Sequence, residues 1–201
     1  MEAAKVIYLL KAKEYELLQS LADNEVVERV INTHSEITTK SRVEAANKYL
    51  DGPGQHISAY YENNYQLLTN GHSAIFLTKN QLLDVENVPG PRKDLTAFLR
   101  TPPGDEVKVV WMSLHLELEL HKGADDWKKP LYVKVGRVCV NAELLSQTRA
   151  ILGGEGLRVY QKGSRDTLQL ESENGKAIVL PALPGKIAEA SLVDVTGEIP
   201  A

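Results

Sequence analysis

Four side chains suited to metal binding or acid–base work lie close together in the sequence: His115, Glu117, Glu119 and His121. On a strand, alternate residues share a face, so these four would form a row opposite Leu114, Leu116, Leu118 and Leu120. Imidazole and carboxylate both ligate zinc, and such a row becomes a metal site once another element adds ligands. Same-face neighbours on a strand stand about 7 Å apart, too far to converge unaided on one ion. Alternation alone produces the same pattern, so a solvated sheet face is expected here, with no metal. Gly153-Gly154-Glu155-Gly156 imitates a phosphate loop. It lacks the Lys-Ser/Thr partner and follows a helical pattern, whereas a phosphate cradle precedes a helix. His72 beside Ser73 suggests nucleophilic chemistry, but the sequence places no acid to orient the imidazole and no nucleophile elbow around the serine. No catalytic residue and no cofactor are expected, and a metal-dependent hydrolase using the His115 row is the last-ranked function.

The elements around these residues are clearest from Val138 to Pro181. A strand enters, and Asn141 stands where a helix N-cap belongs. Leu144, Leu145, Thr148, Ile151 and Leu152 repeat at helical spacing, and Gly153-Gly154 stop the helix. Leu157 with Val159, and Leu168 with Leu170, alternate with polar residues as half-buried strands do. Asn174-Gly175 predicts a hairpin turn, and Ala177 to Leu180 a closing strand.

This stretch resembles the closing half-domain of the bacterial sliding clamp, the DNA polymerase III beta subunit. The matching residues are Asn141-Ala142, Leu144-Leu145 and Ile178-Val179-Leu180-Pro181. A second likeness is Thr69-Asn70-Gly71-His72-Ser73, which stands where clamps carry Thr-Asp-Gly-His-Arg. Asn70 replaces the acid and Ser73 the arginine. The resemblance implies an α+β fold, a DNA-clamp-like domain of antiparallel sheets with helices packed on one face. It implies a peptide groove formed by Thr69, Gly71, His72, Ile178, Leu180 and Pro181, which receives short motifs of replication or repair proteins. It also implies double-stranded DNA as a partner of a homo-oligomer, with Lys11, Lys13, Arg42, Lys48 and Arg149 toward the phosphates. Ordinary surface charge accounts equally for those five residues. The first function is therefore a non-catalytic processivity-type clamp for DNA replication, and the alternative is a monomeric peptide-binding adaptor or decoy for clamp partners.

Composition agrees with a globular chain. At 201 residues, with 43% hydrophobic and 25% charged residues, one enlarged domain is expected. Its halves would cover about 1–104 and 105–183, with a tail at 184–201. A net charge of −4 argues against a general nucleic-acid coat but not against a local basic lining. The single cysteine, Cys139, excludes an internal disulfide and suits a cytoplasmic setting. No apolar run approaches the ~20 residues that span a bilayer, so no membrane role is expected.

Earlier in the chain, Lys5 to Leu10 reads as a strand and Lys11 onward as a helix that either ends near Asp23-Asn24 or continues irregularly through Val26, Val27 and Val30. A second helix is predicted from a Ser41–Glu44 capping box to Asp51. Ile57 to Tyr61 and Tyr65 to Thr69 read as a hairpin, followed by a strand from Ala74 to Thr78. A helix is predicted from Pro91 to about Arg100, then strands at Val107–Trp111 and Leu114–Leu120. Leu131 to Val135 is a further strand, and Ser191 to Val195 reads either as an added edge strand or as part of a loose tail. Each half thus places a helix before a group of strands, the internal two-fold character of clamp domains.

Overall fold

The computed structural model describes residues 37–51, 58–62, 65–86, 88, 90, 95–99, 103–122, 129–153, 156–182 and 192–197. The strand and helix predicted from Lys5, ending near Asp23 or as late as Val30, lie outside them.

Helix α1 covers Thr39–Leu50. It starts before the predicted box, because Thr38 is the N-cap. The Thr38 hydroxyl accepts from the Ser41 amide, and Ser41 Oγ accepts from the Thr38 amide. Two hydroxyl residues three apart thus complete a box that needs no glutamate. The meander β1 (Ser58–Glu62), β2 (Tyr65–Thr69) and β3 (Ser73–Thr78) follows. A short α2 (Thr96–Leu99), β4 (Asp105–Val107) and α3 (Trp111–Lys122) lead to the hairpin β5 (Tyr132–Val135) and β6 (Val138–Asn141). Helix α4 (Ala142–Leu152) is capped by the Asn141 side chain at 2.9 Å from the Leu144 amide, and it stops at Gly153, φ 63°. The second meander is β7 (Arg158–Gln161), β8 (Leu168–Ser172) and β9 (Gly175–Val179), and β10 is Val193–Asp194.

Seven strands form one antiparallel sheet in the order β1-β2-β3-β9-β8-β7-β4. The last strands of the two meanders pair at its centre, with Ile75 opposite Ala177. The element order α1-β1-β2-β3 is therefore repeated as α4-β7-β8-β9, and the β3–β9 ladder is where the repeats meet. The ladder ends in equivalent bonds: Leu180 N–H to the His72 carbonyl (2.9 Å) at one end, Thr78 N–H to the Asn174 carbonyl (3.0 Å) at the other.

α1 and α4 lie side by side on one face of this sheet. They run antiparallel, since Arg42 near the start of α1 meets Ile151 near the end of α4, and Lys48 meets Glu143 at the opposite ends. Ala46, Tyr49, Leu145, Ile151 and Leu152 bury against Leu68, Ile75, Leu77, Leu168, Leu170, Ala177 and Val179. The other face carries a smaller cluster of Tyr60, Leu67, Ala74, Phe76 and Ile178, with Phe98 of α2 against it.

The chain is thus α+β, with an antiparallel main sheet and the paired helices α1 and α4 on one face. Three further expectations are corrected. The strand predicted at Val107–Trp111 is instead β4 at Asp105–Val107, followed by an isolated bridge from Val109 to Thr196, with Trp111 already in α3. Residues 111–122 form helix α3, not a strand, although their leucines alternate with polar residues. Leu, Glu, Met and Lys are strong helix formers, and Glu and Lys are depleted in strands, so here that preference prevails over the period-2 pattern. The C-terminal edge strand exists but joins in parallel, Val193 opposite Val133, in a three-stranded sheet β10-β5-β6. It is the one parallel pair among the described strands. Among the described residues, no helix is long and apolar enough to cross a membrane.

Candidate functional site

The two stretches that resemble the clamp meet at one end of the β3–β9 ladder. The Thr69–Ser73 turn is rigid through its own polar atoms. Thr69 Oγ1 donates to the Ser73 carbonyl (2.8 Å) and accepts from the Gly71 amide (3.2 Å). Asn70 Oδ1 accepts from the amides of His72 and Ser73, both at 3.0 Å. An amide oxygen suffices for these bonds, so the acid of the clamp pattern is not needed to shape the turn. Gly71 adopts φ 84°, which favours glycine. From below, the Tyr49 hydroxyl bonds to the Ser73 carbonyl (2.9 Å) and Oγ (2.6 Å). Its complete burial pushes the phenol well above its ordinary value.

Register places Thr69, Ala74 and Ile178 in one cross-strand row, on the sheet face away from the helices. Leu180 follows Ile178 on that face by alternation. Its amide bond to the His72 carbonyl holds the turn against the closing strand. Thr69 and Ile178 are buried and Pro181 is half-buried. Gly71 and His72 are exposed, and Leu180 is 40% exposed, a high value for a leucine. All six predicted groove residues are thus brought together.

At the equivalent end of the ladder, polar side chains bind the end of α4 on the helix face. Asn174 Nδ2 donates to the Leu152 carbonyl (2.5 Å), and Arg42 Nε to the Ile151 carbonyl (2.8 Å), so both cap the end of α4. Arg42 Nη1 reaches Gln81 Oε1 (3.0 Å), while Nη2 is buried without a hydrogen-bond partner. Desolvation pushes this guanidinium below its ordinary value. No local signal marks this tertiary cap, because its partners lie far apart along the chain.

The residues named for DNA contact are scattered. Lys11 and Lys13 lie outside the described residues. Arg42 is buried in the cap. Lys48 is exposed but pairs with Glu143 at 3.2 Å, and Lys40 pairs with Glu44. Arg149 is half-buried, 5.1 Å above the Trp111 ring, with Nη1 3.0 Å from His115 Nε2. Burial pushes its guanidinium down to about 10, so it stays a cation at neutral pH.

The row of His115, Glu117, Glu119 and His121 does not exist as a face. On helix α3, residues two apart point about 200° apart, so His115 with Glu119 and Glu117 with His121 take opposite sides. His115 is buried, and desolvation raises the half-buried Glu117 carboxyl. Among the described residues, no group of three or more His, Cys, Asp or Glu is placed to hold a metal ion.

No family model matches the chain, and no curated protein matches it. Among solved structures, it is similar to DNA polymerase III subunit beta from Borrelia burgdorferi in complex with a natural product, at 10% identity and a TM-score of 0.46. The alignment covers 73% of this chain and 63% of that one, so less than two thirds of the solved chain is spanned. A likeness of this size carries no weight for function.

Proposed function

We propose that the chain is a clamp-like, non-catalytic adaptor that binds a short peptide segment of a replication or repair protein. The segment sits at the Leu180–His72 end of the ladder, on Thr69, Gly71, His72, Ile178, Leu180 and Pro181. The observation that carries this reading is the Leu180–His72 backbone bond, which joins the two clamp-like stretches and leaves Leu180 exposed beside them. Leu180 is the anchor because it follows Ile178 on the same sheet face and is held against the rigid turn, not because of its exposure alone. The repeat of helix and meander supports the clamp-like reading. Both groove walls come from this one chain through a single ladder, where full clamps draw them from consecutive domains. The twin end offers Thr78 and Glu171 where the groove end has Leu180 and Thr69, so one apolar site per chain is expected.

Encirclement of double-stranded DNA by a homo-oligomer draws less support. The exposed cations described on α1 are matched by carboxylates, and phosphate tracking needs unmatched ones. Calorimetric titration with a Gln-Leu-containing clamp-binding peptide, beside a retention assay on circular DNA, tests the two readings. Saturable 1:1 peptide binding without DNA retention is the expected result. No peptide binding, with the protein retained on circles, would overturn the adaptor reading.

A further inference from the structure

The sheet face opposite α1 and α4 continues past the proposed groove along β9. Leu180, Ile178 and Lys176 are successive same-face positions on that strand, about 7 Å apart. Beside Ile178 lies a depression walled by Phe76, Phe98, Pro103 and Tyr160. Beyond it, register sets Phe76, Lys176, Glu171 and Arg158 in one cross-strand row. Lys176 Nζ lies 3.2 Å from one Glu171 oxygen, and Arg158 Nη2 lies 3.9 Å from the other. Within that row two exposed cations therefore share one carboxylate, a surplus of one positive charge at the end of an apolar track, with Glu106 opposite Tyr160 in the neighbouring row. Apolar positions followed by a surplus cation complement a ligand with the same order and opposite charge.

We infer that the partner segment is an extended acidic peptide, with apolar side chains over Leu180 and Ile178 and a carboxylate over Lys176. This inference rests on the adaptor reading and specifies its ligand. The carboxylate adds to the Lys176–Glu171–Arg158 row without a new buried charge, since all three side chains are partly solvated. Its contribution is that of an exposed ion pair, about threefold in Kd and weakened by salt.

The test uses the full chain and synthetic heptapeptides that share a Gln-Leu apolar core. Asp stands before the core in one peptide and after it in another, and each has an Asn control. The expected result is that one Asp peptide binds about threefold tighter than its Asn control. That advantage should vanish in Lys176→Gln, and a Lys-bearing peptide should gain it in Lys176→Glu. If the cores bind but neither Asp peptide gains, or the gain survives in Lys176→Gln, the acidic-ligand inference is overturned and the groove stands. If no core binds at all, the groove itself is overturned and the inference falls with it.

Discussion

Arg42 Nε donates to the carbonyl of Ile151 at 2.8 Å, which ties the start of one helix to the end of its antiparallel twin. The bond joins the two repeats of the fold, because each helix belongs to a different meander. Arg42→Ala would leave the Ile151 carbonyl and Gln81 without this donor and open a cavity under the helix pair. A loss of about 2–4 kcal/mol is expected in urea unfolding. Arg42→Lys should recover only part of it, since one ammonium on a flexible stem does not reproduce a planar fork with donors to both partners.

Thr148 is fully buried on α4, and its Oγ1 has no hydrogen-bond partner. A buried hydroxyl that makes no bond loses its hydration without compensation. Thr148→Val keeps the shape and removes that cost. It should be neutral or raise stability by up to about 1 kcal/mol, and a clear destabilisation would show that the hydroxyl is paired in solution.

Tyr49 gives the chain a specific alkaline limit. Its phenol is held above the ordinary value of 10.0 by burial, so the folded state keeps its proton where the unfolded chain ionises. The unfolded state then binds fewer protons, and stability falls as pH rises past 10.0, by up to about 1.4 kcal/mol per pH unit. Below that pH the contribution is fully present. Arg149 works in the opposite direction above about 10, because its lowered value lets the folded state release a proton first. Tyr49→Phe should therefore cost about 1 kcal/mol at neutral pH and show a shallower decline above pH 10 than the parent. Parallel slopes would contradict the account, and the comparison cancels the Arg149 effect.

The legible parts of the fold were those with local punctuation. Asn141 and Gly153 bound α4 where their backbone roles require, and the Thr69–Ser73 and Glu173–Asn174 turns fall at, or one residue from, their sequence signals. The groove residues were legible as two separate stretches, and only the β3–β9 register shows that they meet. Residues 111–122 misled because period-2 leucines occur on a helix that is half-buried around much of its circumference, so neither face reveals the true period. The start of α1 was misplaced because two hydroxyls, Thr38 and Ser41, share the capping role usually signalled by an acid. The fates of Arg42 and Arg149 were illegible, since each is fixed by a partner more than thirty positions away, Ile151 and His115.

Leu180 offers the sharpest separation of binding from folding. At 40% exposure it contributes little to the core, so Leu180→Asp should shift stability by less than about 1 kcal/mol. The same change puts a carboxylate where an apolar anchor is required and should weaken the Gln-Leu peptide at least tenfold. Equal losses of stability and binding would mean that Leu180 serves the fold instead.

The most direct measurement is a methyl and amide NMR titration of the intact chain with the Gln-Leu peptide. The account predicts that the largest shifts gather at Gly71, His72, Ile178 and Leu180, with Thr78, Asn174 and the outward faces of α1 and α4 unmoved. Shifts concentrated on Lys48 and its helix, or none at saturating peptide, would contradict it.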